Sequence, residues 1–213
     1  GSDRLGHGPV IWYDRSSLTA GYVGAALAFI ERAVAGGRPF LVHVWPDDPH
    51  GPWYPPRERR GDGSKRALYR GVVETMDEQL APLFERLRRS DLRDRTVVLF
   101  CSDNGPEQGA GTAGPFRGTK ATLYEGGLRS PLIVWAPGLM PSSAVGGWDR
   151  ESVLCTFDLA PSLLRIAGVP PPEGIAFDGL DVSDALLGRR AFERPAPLFW
   201  RRPPDRNFVD GRS

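Results

Sequence analysis

Asp103 and Asn104 stand side by side at the end of the apolar run TVVLFCS, with Gly105 directly after them. Successive side chains along a strand point to opposite faces. At a strand end the chain turns, and glycine makes a sharp turn cheap, so two neighbouring oxygens can converge on one point. A carboxylate beside an amide carbonyl is hard-oxygen chemistry, suited to Ca2+ or Mg2+ and not to a thiolate-bound metal. The same three residues also make a good turn without any ion, and on their own they leave both readings open. Lys120 follows in the Gly-rich stretch RGTKATLYEGG. Its ammonium is a compact charge suited to an anionic oxygen, or simply to solvent, and Arg117 shares that ambiguity. His50 sits in DDPHGP, framed by two prolines. A histidine in a stiff loop can donate a proton or orient a leaving group, or face water. Asp47 and Asp48 beside it offer oxygen ligands, caps or turns. His43 falls inside an apolar run and reads as a core or interface residue.

These side chains need elements to hold them. Residues 18–35 predict an amphipathic helix, with Tyr22, Ala26, Phe29, Ile30 and Ala33 on one face, Thr19 as its start and Gly36-Gly37 as its stop. PFLVHVW at 39–45 predicts a buried strand, and PDDPHGPWYPP at 46–56 a rigid loop at its end. A second helix at 66–89 carries the stripe Leu68, Val72, Met76, Leu80, Leu83 and Leu87, and Pro82 predicts a kink or boundary. Strands are expected at 95–102 and 131–138. A helix then starts at Thr156 or Asp158 and runs through Ile166 to Gly168, followed by a short helical turn in DGLDVSDALLG and a last strand, PLFWRR, at 197–202. Helices alternating with wholly apolar strands predict an α/β fold with a central, mostly parallel sheet and helices on both faces. Ligands of such sheets bind outside the carboxyl ends of the strands, where DDPHGPW and SDNGPEQG both fall.

The 213 residues give room for one large domain or most of one. A net charge of +1 leaves no field to attract nucleic acid or an anionic membrane, and RERRGDGSKR reads as a solvated loop. Cys101 and Cys155 form neither a disulfide framework nor a metal cluster, and read as buried free thiols. No stretch is expected to span a membrane. The opening GSDRLGHG has no methionine, so a processed product or a piece of a longer protein is expected.

Taken in order, DDPHGPW, TVVLFCSDNG, GTKATLYEGGLRSPLIVWAPG, DLAPSLLRIAG and DGLDVSDALLG resemble the sulfatase family of the alkaline-phosphatase superfamily, over residues 18 to 188 or so. The resemblance implies that residues 1–190 are the C-terminal part of a catalytic α/β domain, and 191–213 the start of a small C-terminal domain. It implies a sulfuric ester hydrolase in which a formylglycine hydrate attacks the sulfur of a sulfate ester, while Ca2+, with Mg2+ the lesser choice, neutralises the sulfate oxygens. By motif, Asp103 and Asn104 match two metal ligands. Lys120 matches the lysine on the sulfate, and His50 the histidine that contacts the sulfate region and the leaving group. The implied partner is a sulfated small molecule or glycan, with no nucleic acid and no membrane, and the implied compartment is periplasmic or secreted. Trp45, Trp53 and Tyr54, near His50, could stack on a sugar ring, which favours a carbohydrate. The oligomeric state stays unassigned.

The sequence also departs from the family's pattern. Formylglycine arises from Cys or Ser in a CxPSR-type motif, and neither CSDNG at Cys101 nor CTFDL at Cys155 matches it. The nucleophile and the family's early acidic ligands belong to an N-terminal half that has no counterpart in this sequence, so the chain alone is expected to be inactive. Two other readings stand beside the first: a phosphodiesterase or phosphonate hydrolase of the same superfamily, and a non-catalytic sulfatase-like protein that binds sulfated glycans.

Overall fold

A computed structural model describes residues 14–202. They fall into two compact units. One runs up to Arg89 and takes in Asn104–Arg129; the other consists of Ser90–Asp103 and the chain from Ser130 onward.

The first unit is built on two helices, α1 (Leu18–Ala35) and α2 (Lys65–Leu87). The span of α1 is the expected one, but its buried stripe is Thr19, Val23, Ala26, Ile30 and Ala33. Tyr22 and Phe29, expected in the core, are 38% and 44% exposed. The distance between packed helices is set by the side chains at the contact. A stripe of small and β-branched residues lets α2 lie close, where two aromatics would hold it off. Thr19 does not cap the helix. Ser17 holds that position, and the fully buried Thr19 hydroxyl donates instead to Asp48 Oδ2 at 3.3 Å.

Gln79 of α2 clips the start of α1. Its Nε2 donates to Ser16 O at 2.7 Å, and its Oε1 accepts from Ala20 N at 2.9 Å. Near the far end Arg86 pairs with Glu31. Against the expectation from sequence, Arg15–Ala35 is long and apolar enough, at a mean hydropathy of 1.3, to cross a membrane by length and composition. In this fold its apolar stripe lies against α2. Pro82 sits inside α2 without ending it, and Ser64 caps the helix by accepting from Ala67 N at 3.3 Å. The short α3 (Glu125–Leu128) lies in the second segment of this unit.

The second unit holds the one ladder among the described residues, β1 (Val98–Cys101) against β2 (Leu132–Trp135). The pair is antiparallel, with Val98 opposite Trp135 and Cys101 opposite Leu132. The central, mostly parallel sheet expected from sequence is not formed among the described residues. Residues 39–45 and 197–202 carry no ladder. An apolar extended segment becomes a strand only beside a neighbour in register. In its absence Leu41 and Trp45 stay 67% and 77% exposed, and His43, expected in the core or at an interface, is exposed too. The thiols are free as expected but not buried, Cys101 being exposed and Cys155 half-buried, because little covers the ends of these segments.

A single turn of 3-10 helix, Thr156–Asp158, leads into α4 (Leu159–Ala167), which Gly168 closes in the left-handed region at φ +67°. Asp158 ties this turn to two later segments of the chain. Its buried carboxylate accepts from Cys155 N at 2.7 Å and Leu180 N at 2.9 Å, and pairs with Arg194. Ser162, also buried, accepts from Val182 N at 2.8 Å, directly ahead of α5 (Ser183–Leu186). A charge survives burial when it is paired and its oxygens are hydrogen-bonded, and both oxygens of Asp158 are.

Candidate active site

His50 lies exposed at the tip of the proline-rich loop, whose peptide bonds into Pro49 and Pro52 are both cis. Its Nδ1 is 2.7 Å from Gly51 O. A carbonyl can only accept, so Nδ1 carries the proton there, and in the neutral ring Nε2 keeps the lone pair. The loop is held mostly by side chains. Arg15 Nη2 donates to His50 O at 2.6 Å, and Arg15 also pairs with Asp47. Asp48 accepts the Thr19 hydroxyl; burial pushes its carboxyl above the usual aspartate range, partly offset by the Thr19 bond and the Arg15 charge. The turn open to Asp47 in the sequence is seen in its carbonyl accepting from His50 N at 2.9 Å, while the two carboxylates bond to Arg15 and Thr19 at the start of the chain's first helix, a role the sequence did not suggest. Trp53 Nε1 closes the loop on itself by donating to Pro49 O at 2.8 Å.

Lys120 lies half-buried in the glycine-rich loop, where its backbone N donates to Pro106 O at 2.9 Å. The loop folds back so that Gly105 N reaches Gly127 O at 3.1 Å and Gly126 N reaches Arg117 O at 2.8 Å. The approach is too close for a side chain. A Cβ on Gly105 would sit 1.9 Å from Gly126 O, and one on Gly127 would sit 2.2 Å from Thr122 O. Arg117 does not resolve into a bare cation. Its guanidinium stacks over Tyr124 at 3.8 Å.

The two loops meet the same part of α2. Trp53 packs edge-on against Tyr69, with centroids 5.9 Å apart and planes at 84°. Lys65, the first residue of α2, sits with Nζ 5.4 Å from the Trp53 ring centroid. The same Nζ donates to Gln108 O at 2.5 Å and lies 3.6 Å from Glu107 Oε1. Burial, with the Glu107 charge second, raises the Tyr69 phenol above its usual range. A Cβ on Gly111 would lie 3.5 Å from the Tyr69 hydroxyl. His50 and Lys120 thus ride on two loops that share one support. Sequence reasoning passed over Lys65 as part of a solvated basic run. Ser64 was the missed signal, since a serine at N-cap moves Lys65 from a loop into the first turn of a helix.

Asp103 is exposed at the close of the first segment of the second unit, and the half-buried Asn104 opens the glycine-rich loop of the first. Asn104 Nδ2 donates to Gly105 O at 2.9 Å. A carboxylate and an amide oxygen fit a hard cation by donor type. By number they fall short of the roughly six to eight oxygens of Ca2+, and no group of three or more His, Cys, Asp or Glu among the described residues could hold a metal.

Comparison with known proteins addresses the family directly. The sulfatase family model matches residues 16–169. N-acetylgalactosamine-6-sulfatase of Sus scrofa is 38% identical over 186 residues, covering 84% of this chain and 34% of that protein. Human arylsulfatase G is 32% identical over 188 residues, covering 82% and 35%. The chain therefore spans about a third of the length of these relatives. Among solved structures, Ps i-CgsB in complex with k-i-k-neocarrahexaose superposes with a TM-score of 0.71 at 26% identity, over 81% of this chain and 39% of that one. A second, BT33336S-sulf, from work on glycosaminoglycan metabolism by Bacteroides thetaiotaomicron, has a TM-score of 0.72 at 24% identity, covers 85% and 39%, and bears on the fold alone. The matched segment contains both loops and all four of the residues singled out from sequence, and on that footing the chain belongs to the sulfatase family.

Proposed function

We propose that this chain supplies part of the active site of a sulfuric ester hydrolase acting on a sulfated carbohydrate. One observation carries the reading: the His50 loop and the Lys120 loop rest on the same first turns of α2, inside the segment that matches the sulfatase family. Lys120 provides a fixed positive charge for the sulfate oxygens, where negative charge grows as the ester bond breaks. His50, held through Nδ1 by Gly51 O, presents Nε2 to the leaving oxygen and delivers a proton there when the ring is charged. Asp103 and Asn104 would be two of the ligands of a Ca2+, whose charge would neutralise the sulfate oxygens. The remaining ligands and the formylglycine nucleophile are assigned to other parts of the full-length protein, since neither Cys101 nor Cys155 has the required context. Membership of the sulfatase family supports two further parts of this reading: that 39–45 pairs in a parallel sheet of the full-length protein, and that the enzyme works in a periplasmic or secreted setting. A carbohydrate substrate is supported by the names of the relatives, one an N-acetylgalactosamine-6-sulfatase and one solved with a carrahexaose.

The test is sulfate release by the full-length protein from N-acetylgalactosamine 6-sulfate and from a chromogenic aryl sulfate. Lys120→Ala is expected to lower kcat by about 10²–10³-fold on both, with an unchanged melting temperature. His50→Ala should cost more on the sugar, whose alcohol needs protonation, than on the aryl ester, whose phenol leaves unaided. Equal losses on the two substrates would remove His50 from the leaving-group role, and no sulfate release from either would remove the whole reading.

A further inference from the structure

We propose that Lys65 is a positioning residue that fixes the His50 loop and the glycine-rich loop to each other. The inference deepens the sulfatase reading and rests on it for its catalytic consequence. Three contacts carry it. The Nζ sits 5.4 Å from the Trp53 centroid, donates to Gln108 O at 2.5 Å, and lies 3.6 Å from Glu107 Oε1. Trp53 in turn holds Pro49 O, directly before His50, at 2.8 Å. Gln108 and Glu107 come just after Pro106, whose carbonyl takes the Lys120 backbone N at 2.9 Å. One ammonium thus links the segment that holds the loop histidine to the segment that holds the loop lysine.

The placement of this charge is itself informative. Lys65 is the first residue of α2, and that first turn contains no acidic residue. The N-terminus of a helix is its positive end, so a cation there is disfavoured. A lysine at this position needs compensation, and the Gln108 carbonyl, the Glu107 carboxylate and the face of Trp53 provide it. Its side chain is 46% exposed, so the contacts contribute little to global stability. Their effect is on geometry: small displacements of reacting groups have large kinetic costs.

The experiment compares Lys65→Met, Lys65→Arg and Trp53→Leu in the full-length protein by two independent readouts. Amide hydrogen exchange reads the clamp itself. Lys65→Met is expected to speed exchange in both 46–54 and 105–112 while leaving α1 and the melting temperature unchanged. Steady-state turnover of an aryl sulfate reads the consequence. Lys65→Met should lower kcat about tenfold with KM within about twofold, and Lys65→Arg should restore most of it, since a guanidinium can both stack and donate. Adding Trp53→Leu to Lys65→Met should cost less than the two single losses combined. Unchanged exchange in either loop overturns the proposal, as does a kcat unaffected by Lys65→Met. If the parent protein releases no sulfate, the sulfatase reading fails by itself, and the exchange data still decide for or against the clamp.

Discussion

The two loops of the first unit are held in opposite ways. The proline-rich loop has little backbone bonding of its own beyond His50 N to Asp47 O. Side chains pin it: Arg15 and Trp53 each donate to a main-chain oxygen of the loop, and Thr19 reaches the Asp48 carboxylate. The glycine-rich loop is held by its main chain. Its closing bonds run Gly105 to Gly127, Lys120 to Pro106, and Gly126 to Arg117. Proline removes donors and fixes φ, so a proline-rich loop must borrow its restraints from side chains. Glycine removes bulk, so a glycine-rich loop can bring main chain against main chain. Their weak points differ accordingly: the first loop is vulnerable to deletion of a side chain, the second to addition of one.

The sharpest break comes from adding a methyl group to the second loop. In Gly127→Ala the new Cβ would meet backbone oxygens of Thr122 at 2.2 Å and Thr119 at 2.6 Å. No rotamer relieves a backbone clash, so the main chain must move. The expected cost is about 3 kcal/mol, the upper part of the overpacking range, read as a lowered urea midpoint together with loss of activity. A variant as stable as the parent would mean that the main-chain closure is not tight.

A milder break tests the side-chain mode. Trp53→Phe keeps an aromatic ring beside Tyr69 and below Lys65, and removes only the Nε1 donor to Pro49 O. The expected loss is about 1 kcal/mol, that of one neutral hydrogen bond, from the same urea titration. An equal loss for Trp53→Leu would show that the ring contributes nothing beyond its donor.

The contrast also marks what the sequence could reveal. Helix spans were legible because periodicity and stop signals are local: α1 was bounded correctly, and Gly168 ends α4 as expected. The face of α1 was legible only in part: Ala26, Ile30 and Ala33 are buried as expected, but Tyr22 and Val23 are neighbours along the chain and the choice between them is made by α2, not by α1. The strands were half legible. An apolar run announces extended backbone, but its partner and direction lie elsewhere in the chain, so β1 and β2 were found while their antiparallel pairing was not. The local motifs named His50, Lys120, Asp103 and Asn104. They could not name Lys65, whose relevance depends on Trp53 and Gln108, distant in sequence and close in space. Asp158 was legible only as a helix start; its pairing with Arg194 is a long-range fact.

The smallest expected effect separates the contacts of the first loop that stabilise it from one that merely fits. Asp48 accepts the Thr19 hydroxyl, but burial raises its carboxyl above the usual range, and that outweighs the Thr19 bond and the Arg15 charge. A carboxyl with a folded-state pKa above its unfolded value binds protons more tightly when folded. Its contribution to stability is fully present below the unfolded value, about 3.9, and is lost as pH rises through the folded one. At neutral pH the ionised group therefore costs stability. Asp48→Asn keeps an oxygen for Thr19 and carries no charge to bury. The melting temperatures of variant and parent should nearly coincide below about pH 4. Above it the variant should gain steadily, until the folded-state group is fully ionised. If Asp48→Asn instead melts lower than the parent at pH 7, the Thr19 and Arg15 interactions outweigh burial, and Asp48 joins Arg15 and Trp53 among the side chains that pin the loop.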